Sequence, residues 1–268
     1  MSTTVVLTRP RGKNEALEAA LAGRGLNVLT LPALTIEPCP DAADAVLPRP
    51  GDYDLVVFVS GRAFQSYLAL SSARGEPIVR WPAATWAATV GAASAAALRR
   101  SGIVPDGRIL HPDHASSQDS EGLWTVLEPY LDDMKRILIV RGQAGREWLG
   151  ERLEAAGKQV SRYSAYQRVP AVWSKAQTMA LRGGGPVVFV ATSAQGLDAI
   201  QENVRRLGLH TVWEHAKFVV IHERIAKRLQ SAMKAQDTNS RPAFRVCAPC
   251  DRAIVQAVVS LVSPYPSS

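Results

Sequence analysis

Cysteine is scarce in this sequence: Cys39, Cys247 and Cys250 are the only three in 268 residues. So odd and small a set builds no disulfide framework and agrees with a reducing compartment. Long apolar runs are missing too. No window approaches the roughly 20 uninterrupted apolar residues that a membrane-spanning helix needs, and the opening MSTTVVLTRP lacks the charged leader and apolar core of a signal peptide. The expectation is a cytoplasmic protein with no membrane contact. The glycines Gly12, Gly142 and Gly145 form neither a dinucleotide fingerprint nor a Walker loop, so no nucleotide is implied. A basic helix or an aromatic-interleaved basic sheet is likewise lacking, and no nucleic-acid partner is expected. The net charge of +7 is spread along the chain. It either favours a small anionic ligand or only keeps the surface soluble.

With 47% hydrophobic residues, the chain has enough apolar material for one or two real cores. Its arrangement is repetitive. VVLTRPRGKNEALEAALAGRGLNVLTLPALTIEP (5–38) and ILIVRGQAGREWLGERLEAAGKQVSRYSAYQRVP (137–170) each read as strand, turn, helix and second strand. Set 132 positions apart, they pair Arg9 with Arg141, Glu15 with Glu147, Leu17 with Leu149, Leu21 with Leu153, Gly25 with Gly157, Val28 with Val160 and Pro38 with Pro170. The leucines are four apart and share a helix face, and the glycines follow the helix where a left-handed cap is wanted. Three further strand-helix units follow in each half. They are DLVVFVSGRAFQSYL with GPVVFVATSAQGLDAI, ATWAATVGAASAAALRR with AKFVVIHERIAKRLQ, and RILHPDHASSQDSEGLWTVL with FRVCAPCDRAIVQAVV.

Apolar β-branched runs alternating with helices predict parallel sheets covered on both faces, because right-handed crossovers place the helices there. The class is α/β. The unit at 5–38 finds its remaining partners only after residue 170, so a discontinuous domain is expected, 1–33 with 171–268, interrupted by an inserted domain at 40–163. The linkers, 34–39 and 164–170, are extended by prolines and β-branched residues and predict a two-stranded waist with a ligand cleft between the domains.

The motifs TRP, FVSGRAF, VGAASAAAL, SEGL, IVRGQAGREWL, YQRVP, TSAQGL and IHERIA occur in that order. Together with the interleaved repeat, they make the chain resemble the uroporphyrinogen-III synthase family over essentially its full length. The resemblance implies two flavodoxin-like domains and an enzyme of heme biosynthesis, a cyclising hydro-lyase. It would close linear hydroxymethylbilane, a small polycarboxylate, to uroporphyrinogen III with inversion of ring D and loss of water, using no cofactor and no metal. A transient contact with the upstream deaminase is left open. The other reading is a two-lobed domain that binds a small anion without catalysis, as hinged binding domains do.

Tyr166 matches the tyrosine of the family's linker motif. A phenol stays protonated at neutral pH and can donate to a departing hydroxyl; the alternative is an aromatic that only packs across the waist. Ser60 with Gly61, and Ser193 with Ala194, end their strands where a serine caps the next helix and leaves other N–H groups for carboxylates. Gly91 and His222 occupy equivalent turns. At the last of these many family members carry Gly-Pro-x-Thr, whereas this chain has IHERIA with Ile225 at the threonine position; His222 or Arg224 either supplies the polar group instead or is only a solvated residue at the helix start. Arg9 and Arg141 follow the first strands of the repeat, and Arg146 lies further along. Guanidinium suits bidentate carboxylate capture, and structural salt bridges are the equal alternative. CAPC (247–250) lacks a second cysteine pair for zinc, and HPDH (111–114) lacks a third ligand, so neither is read as a metal or redox site.

Overall fold

The computed structural model describes residues 2–40, 46–113, 117–234 and 242–262. His114 of the HPDH motif lies outside the described residues. The first elements are β1 (Thr4–Leu7), α1 (Glu15–Ala22), β2 (Asn27–Thr30), β3 (Leu34–Pro38), β4 (Leu55–Phe58), α2 (Gly61–Ala73), β5 (Trp86–Thr89) and α3 (Ala92–Arg100). Then come β6 (Ile109–Leu110), α4 (Ser120–Leu127), β7 (Arg136–Gly142), α5 (Trp148–Ala155) and β8 (Gln159–Pro170). The last are β9 (Val187–Ala191), α6 (Ala194–Leu207), α7 (His210–His215), β10 (Lys217–Val220), α8 (Glu223–Lys234), β11 (Ala243–Val246) and α9 (Asp251–Val262).

The chain forms two compact units, one from 1–35 with 169–268 and the other from 36–168. In the first, the strand order is β11-β10-β9-β1-β2 and every pairing is parallel, with Val5 opposite both Val28 and Val188. Alternation along the strands sorts the core into two layers. Val5, Leu7, Val188 and Val190 pack with Leu17 and Leu21 of α1 and with Ile254 and Val258 of α9. Val6, Phe189, Phe218 and Val220 pack on the other face with Leu197, Ile200 and Val204 of α6 and Leu229 of α8. Each such leucine, fully buried, contributes about 1.5–3 kcal/mol.

The second unit repeats the plan in the order β3-β8-β7-β4-β5-β6, with parallel pairing from β8 to β6. Val56, Phe58, Leu138 and Val140 face α2 and α3 through Phe64, Tyr67, Ala95 and Leu98. Leu55, Val57, Ile137 and Ile139 face α4 and α5 through Leu123, Leu127, Leu149 and Leu153. The paired glycines behave alike: Gly25 has φ 75 and Gly157 φ 77, and each N–H closes a turn on the preceding helix, at Ala22 O and Glu154 O. The left-handed backbone there favours glycine.

The extended segment YSAYQRVP is strand, and the boundary between the two units falls within it, at 168/169. It continues the strand that begins at Gln159, giving the twelve-residue β8, and its neighbours in the sheet are β7 and β3. Among the described residues no helix is long and apolar enough to cross a membrane.

Candidate active site

In each unit the helices follow the carboxyl ends of parallel strands, so the turns at that edge carry the free N–H groups of helix N-termini. The strand order also reverses direction there. In the first unit the chain leaves β1 toward β2 and leaves β9 toward β10; in the second it leaves β7 toward β8 and β4 toward β5. Open α/β sheets bind ligands outside such a switch point.

The sequence candidates collect at these edges with a regular spacing. Ser60, Gly91, Ser193 and His222 each stand two residues past the last residue of a strand, β4, β5, β9 and β10 respectively, and Arg9 stands two past β1. Ser60 Oγ accepts from Ala63 N at 3.1 Å, and Ser193 Oγ from Gly196 N at 2.9 Å, so both serines cap their helices. Gly61 is held more tightly than a free donor would be. Its N–H donates to Ser94 Oγ at 3.0 Å, and a Cβ on it would meet Ala97 Cβ at 3.2 Å, because α2 and α3 approach closely at this point. Ala194 opens α6 directly after its cap.

Gly91 is the N-cap of α3 but offers no side chain. Gln118, far along the chain, supplies the cap instead: its Oε1 accepts from Ala92 N at 2.6 Å. A Cβ at Gly91 would lie 2.8 Å from that same oxygen, so the glycine makes room for the cap. At the equivalent turn of the first unit, His222 caps its own helix: Nδ1 accepts from Arg224 N at 3.0 Å. This is where the sequence departs from Gly-Pro-x-Thr. Ile225 is buried in the core, and the ring of exposed His222 is the polar group at the turn.

The arginines are already engaged. Arg9 Nη1 donates to Asp251 Oδ1 at 2.6 Å, tying the turn after β1 to the start of α9. Arg141 is buried, its side chain 8% exposed; Nη1 pairs with Glu147 Oε1, and Nε donates to Gly142 O at 3.2 Å. Glu147 also accepts from Arg162 at 3.2 Å, and Arg162 from there reaches Glu154 at 2.6 Å. Arg146 forms a two-pronged pair with Glu121 at the exposed start of α4. The hydrogen bond from that guanidinium to Glu121 raises the Arg146 pKa above its ordinary value.

Tyr166 lies in β8 beside the end of β7. Its ring belongs to the core layer that also holds Val140, Tyr163 and Ala165, and the residue is 7% exposed. Its hydroxyl oxygen stands beside Gly142, 3.1 Å from where a Cβ on that glycine would lie.

Cys247 and Cys250 are free thiols; burial first, then neighbouring Cys250, raises the Cys247 pKa, while Arg9 opposes the shift. His111 places Nδ1 against Pro112 O at 2.7 Å and Nε2 against Arg99 Nη2 at 3.0 Å. No group of three or more His, Cys, Asp or Glu that could hold a metal occurs among the described residues.

Sequence reasoning passed over Ser94 and Gln118, which engage N–H groups of the helix turns from a distance, and gave Gly142 no structural role. The signals were weak: a serine in an alanine-rich helix and a glutamine in a polar loop have many ordinary explanations.

The comparisons with known proteins agree with one another. The family model described as "Uroporphyrinogen-III synthase HemD" matches residues 15–242. The chain is 28% identical over 234 residues to the uroporphyrinogen-III synthase of Escherichia coli (strain K12), covering 84% of this chain and 89% of that protein. It is 30% identical over 233 residues to that of Salmonella typhimurium, covering 83% and 89%. The crystal structure of uroporphyrinogen-III synthetase from Helicobacter pylori superposes with a TM-score of 0.57 at 14% identity, over 97% of this chain and all of the other, a likeness of fold.

Proposed function

The chain belongs to the uroporphyrinogen-III synthase family, and we propose that it converts linear hydroxymethylbilane to uroporphyrinogen III, a lyase step of heme biosynthesis. The observation that carries this reading is the family match across 15–242, which spans both compact units. We place the activity in the cytoplasm, which suits a chain whose three cysteines are all unpaired.

The chemistry asks little covalent work of the protein. The substrate's terminal hydroxyl leaves as water once it is protonated, giving an azafulvene. The substituted carbon of ring D attacks to form a spiro intermediate, which fragments and recloses with ring D inverted. A proton lost at the end balances the one supplied at the start, and water is the only other product. The protein must therefore fold a flexible chain of carboxylates into one geometry and hold a proton beside the leaving oxygen.

In this reading Tyr166 is the proton donor, supported by its match to the family's linker tyrosine and by a buried ring that fixes where the phenol stands. The helix starts behind Ser60 and Gly61, behind Gly91, and behind Ser193 and Ala194 hold carboxylates through N–H groups that the caps leave over, aided by the helix dipole. His222 offers its imidazole at the fourth such turn. Arg9 and Arg141 contribute positive charge there, each tempered by a carboxylate of its own. A transient contact with the deaminase that makes the substrate remains part of the proposal.

The test supplies freshly made hydroxymethylbilane to the purified protein and resolves the oxidised products by isomer. Type III product well above the type I background of spontaneous closure is the expected outcome; background alone would overturn the reading.

A further inference from the structure

The placement of Tyr166 depends on two features of the neighbouring strand. The parallel register between β7 and β8 runs Val140 to Tyr163 and Arg141 to Ser164, and then skips: Gly142 stands opposite Tyr166, with Ala165 inserted as a bulge. In a regular strand Tyr163 and Tyr166 would point to opposite faces. The extra residue restores the face, so both tyrosines join one core layer. Just past the bulge the two strands are tied together, and Gly142 is braced within its own strand. Gln143 N donates to Tyr166 O at 2.8 Å, and buried Arg141 donates from Nε to Gly142 O.

The second feature is the missing side chain. A Cβ on Gly142 would lie 2.8 Å from Tyr166 Cζ, 3.0 Å from Cε2 and 3.1 Å from the hydroxyl oxygen. The phenol end therefore rests directly on the glycine backbone. Gly142 does not adopt the left-handed conformation that glycine alone favours. Space, and not backbone freedom, is what the position requires, so alanine there is a steric probe of the hydroxyl's place.

We propose that Gly142 is a positioning residue for the reaction: its bare backbone, held by Arg141 and offset by the bulge, sets where the Tyr166 hydroxyl meets the leaving group. This rests on the assignment of Tyr166 as proton donor. Displacing a reacting group by about 1 Å can cost on the order of 10²-fold in rate. Gly142→Ala should accordingly lower kcat by roughly 10- to 100-fold while KM changes by less than about threefold.

The experiment is a cycle of Gly142→Ala, Tyr166→Phe and the double variant, read by kcat, KM, isomer ratio and melting midpoint. Phenylalanine keeps the ring that clashes with alanine but has no proton to misplace. The alanine should thus lower the melting midpoint in both backgrounds but lower kcat only where the tyrosine is present. An equal kcat loss in both backgrounds, or none in either, overturns the positioning role. Should Gly142→Ala fail to fold, Arg141→Lys, which disturbs the brace on Gly142 O, takes its place in the same cycle. Because Arg141 also carries charge for the substrate, some loss is expected in both backgrounds; the positioning role requires a larger kcat loss with tyrosine than with phenylalanine, an equal loss overturning it. Wild-type turnover by Tyr166→Phe alone would overturn the proton-donor assignment and the positioning role with it. Absence of type III product from the unaltered protein would separately identify failure of the synthase reading.

Discussion

Replacing Glu147 by glutamine tests how the second unit tolerates a buried guanidinium. Arg141 is 8% exposed, and Glu147 is the sole carboxylate within salt-bridge reach of it among the described residues. Breaking a fully buried pair by removing one partner costs about 3–5 kcal/mol, because the remaining charge is stranded. Here the carboxylate is 49% exposed, so water screens part of the interaction, and Arg141 keeps its bond to Gly142 O. A cost of about 2 kcal/mol follows, equivalent to a fall in Tm of roughly 4–8 °C for a unit of this size. Glu121→Gln is the internal control. Its partner Arg146 is 63% exposed, and exposed pairs contribute about 0–1 kcal/mol. Thermal melts of the two variants, followed by circular dichroism beside the unaltered chain, make the comparison. If the two substitutions shift Tm equally, burial of Arg141 is not what gives its pair weight.

Asp54 gives a pH-dependent case: backbone N–H bonds from Arg136 and Lys135 lower its pKa in the folded state. A lowered folded pKa means stabilisation that is present above the unfolded value near 3.8 and is lost as pH falls through the folded one. Asp54→Asn should therefore flatten the loss of stability below about pH 4, and an unchanged acid limb in urea titrations would count against this. Ser60→Ala and Ser193→Ala should each cost about 1 kcal/mol as lost caps and reduce turnover less than Tyr166→Phe, for which general-acid loss sets a range of about 10²- to 10⁴-fold or below. A Ser193→Ala enzyme without activity, beside a Tyr166→Phe enzyme at wild-type rate, would move the proton donor to the turn that opens α6.

The α/β class was legible because the same local pattern recurs at a fixed interval and each recurrence is self-consistent. Leu17 and Leu21, like Leu149 and Leu153, read as one helix face and are buried as one. Gly25 and Gly157 read as left-handed and share φ within 2°. Extent was harder to read than type. The segment after Tyr163 reads as a linker because its polar residues and Pro170 break the apolar alternation, and in the fold it stays strand to Pro170. The bulge at Ala165 is the physical cause of that broken pattern. One inserted residue shifts the period-two alternation, so the run Tyr163-Ser164-Ala165-Tyr166 no longer reads as a strand with a constant inner face.

The site divides along the same line between local and distant causes. Ser60 and Ser193 could be identified as caps because a cap is a contact over three residues, between Oγ and the N–H of Ala63 or Gly196. The cap on α3 is a contact over 26 residues, made by Gln118, and nothing near Gly91 announces it. Arg9 reads equally as a carboxylate ligand or a structural salt bridge until Asp251, from the other end of the chain, is seen to occupy it. His222 stands between these cases. The contact that employs it spans two residues, but an imidazole capping its own helix through Nδ1 is a less familiar substitute for threonine than serine or aspartate would be. Gly142 shows the limit most sharply: what matters is the side chain it lacks, and the partner that fills that space lies on another strand, 24 residues away and displaced by a bulge. A single sequence records that the position is glycine. Only the paired strand shows that this glycine supports the phenol of Tyr166.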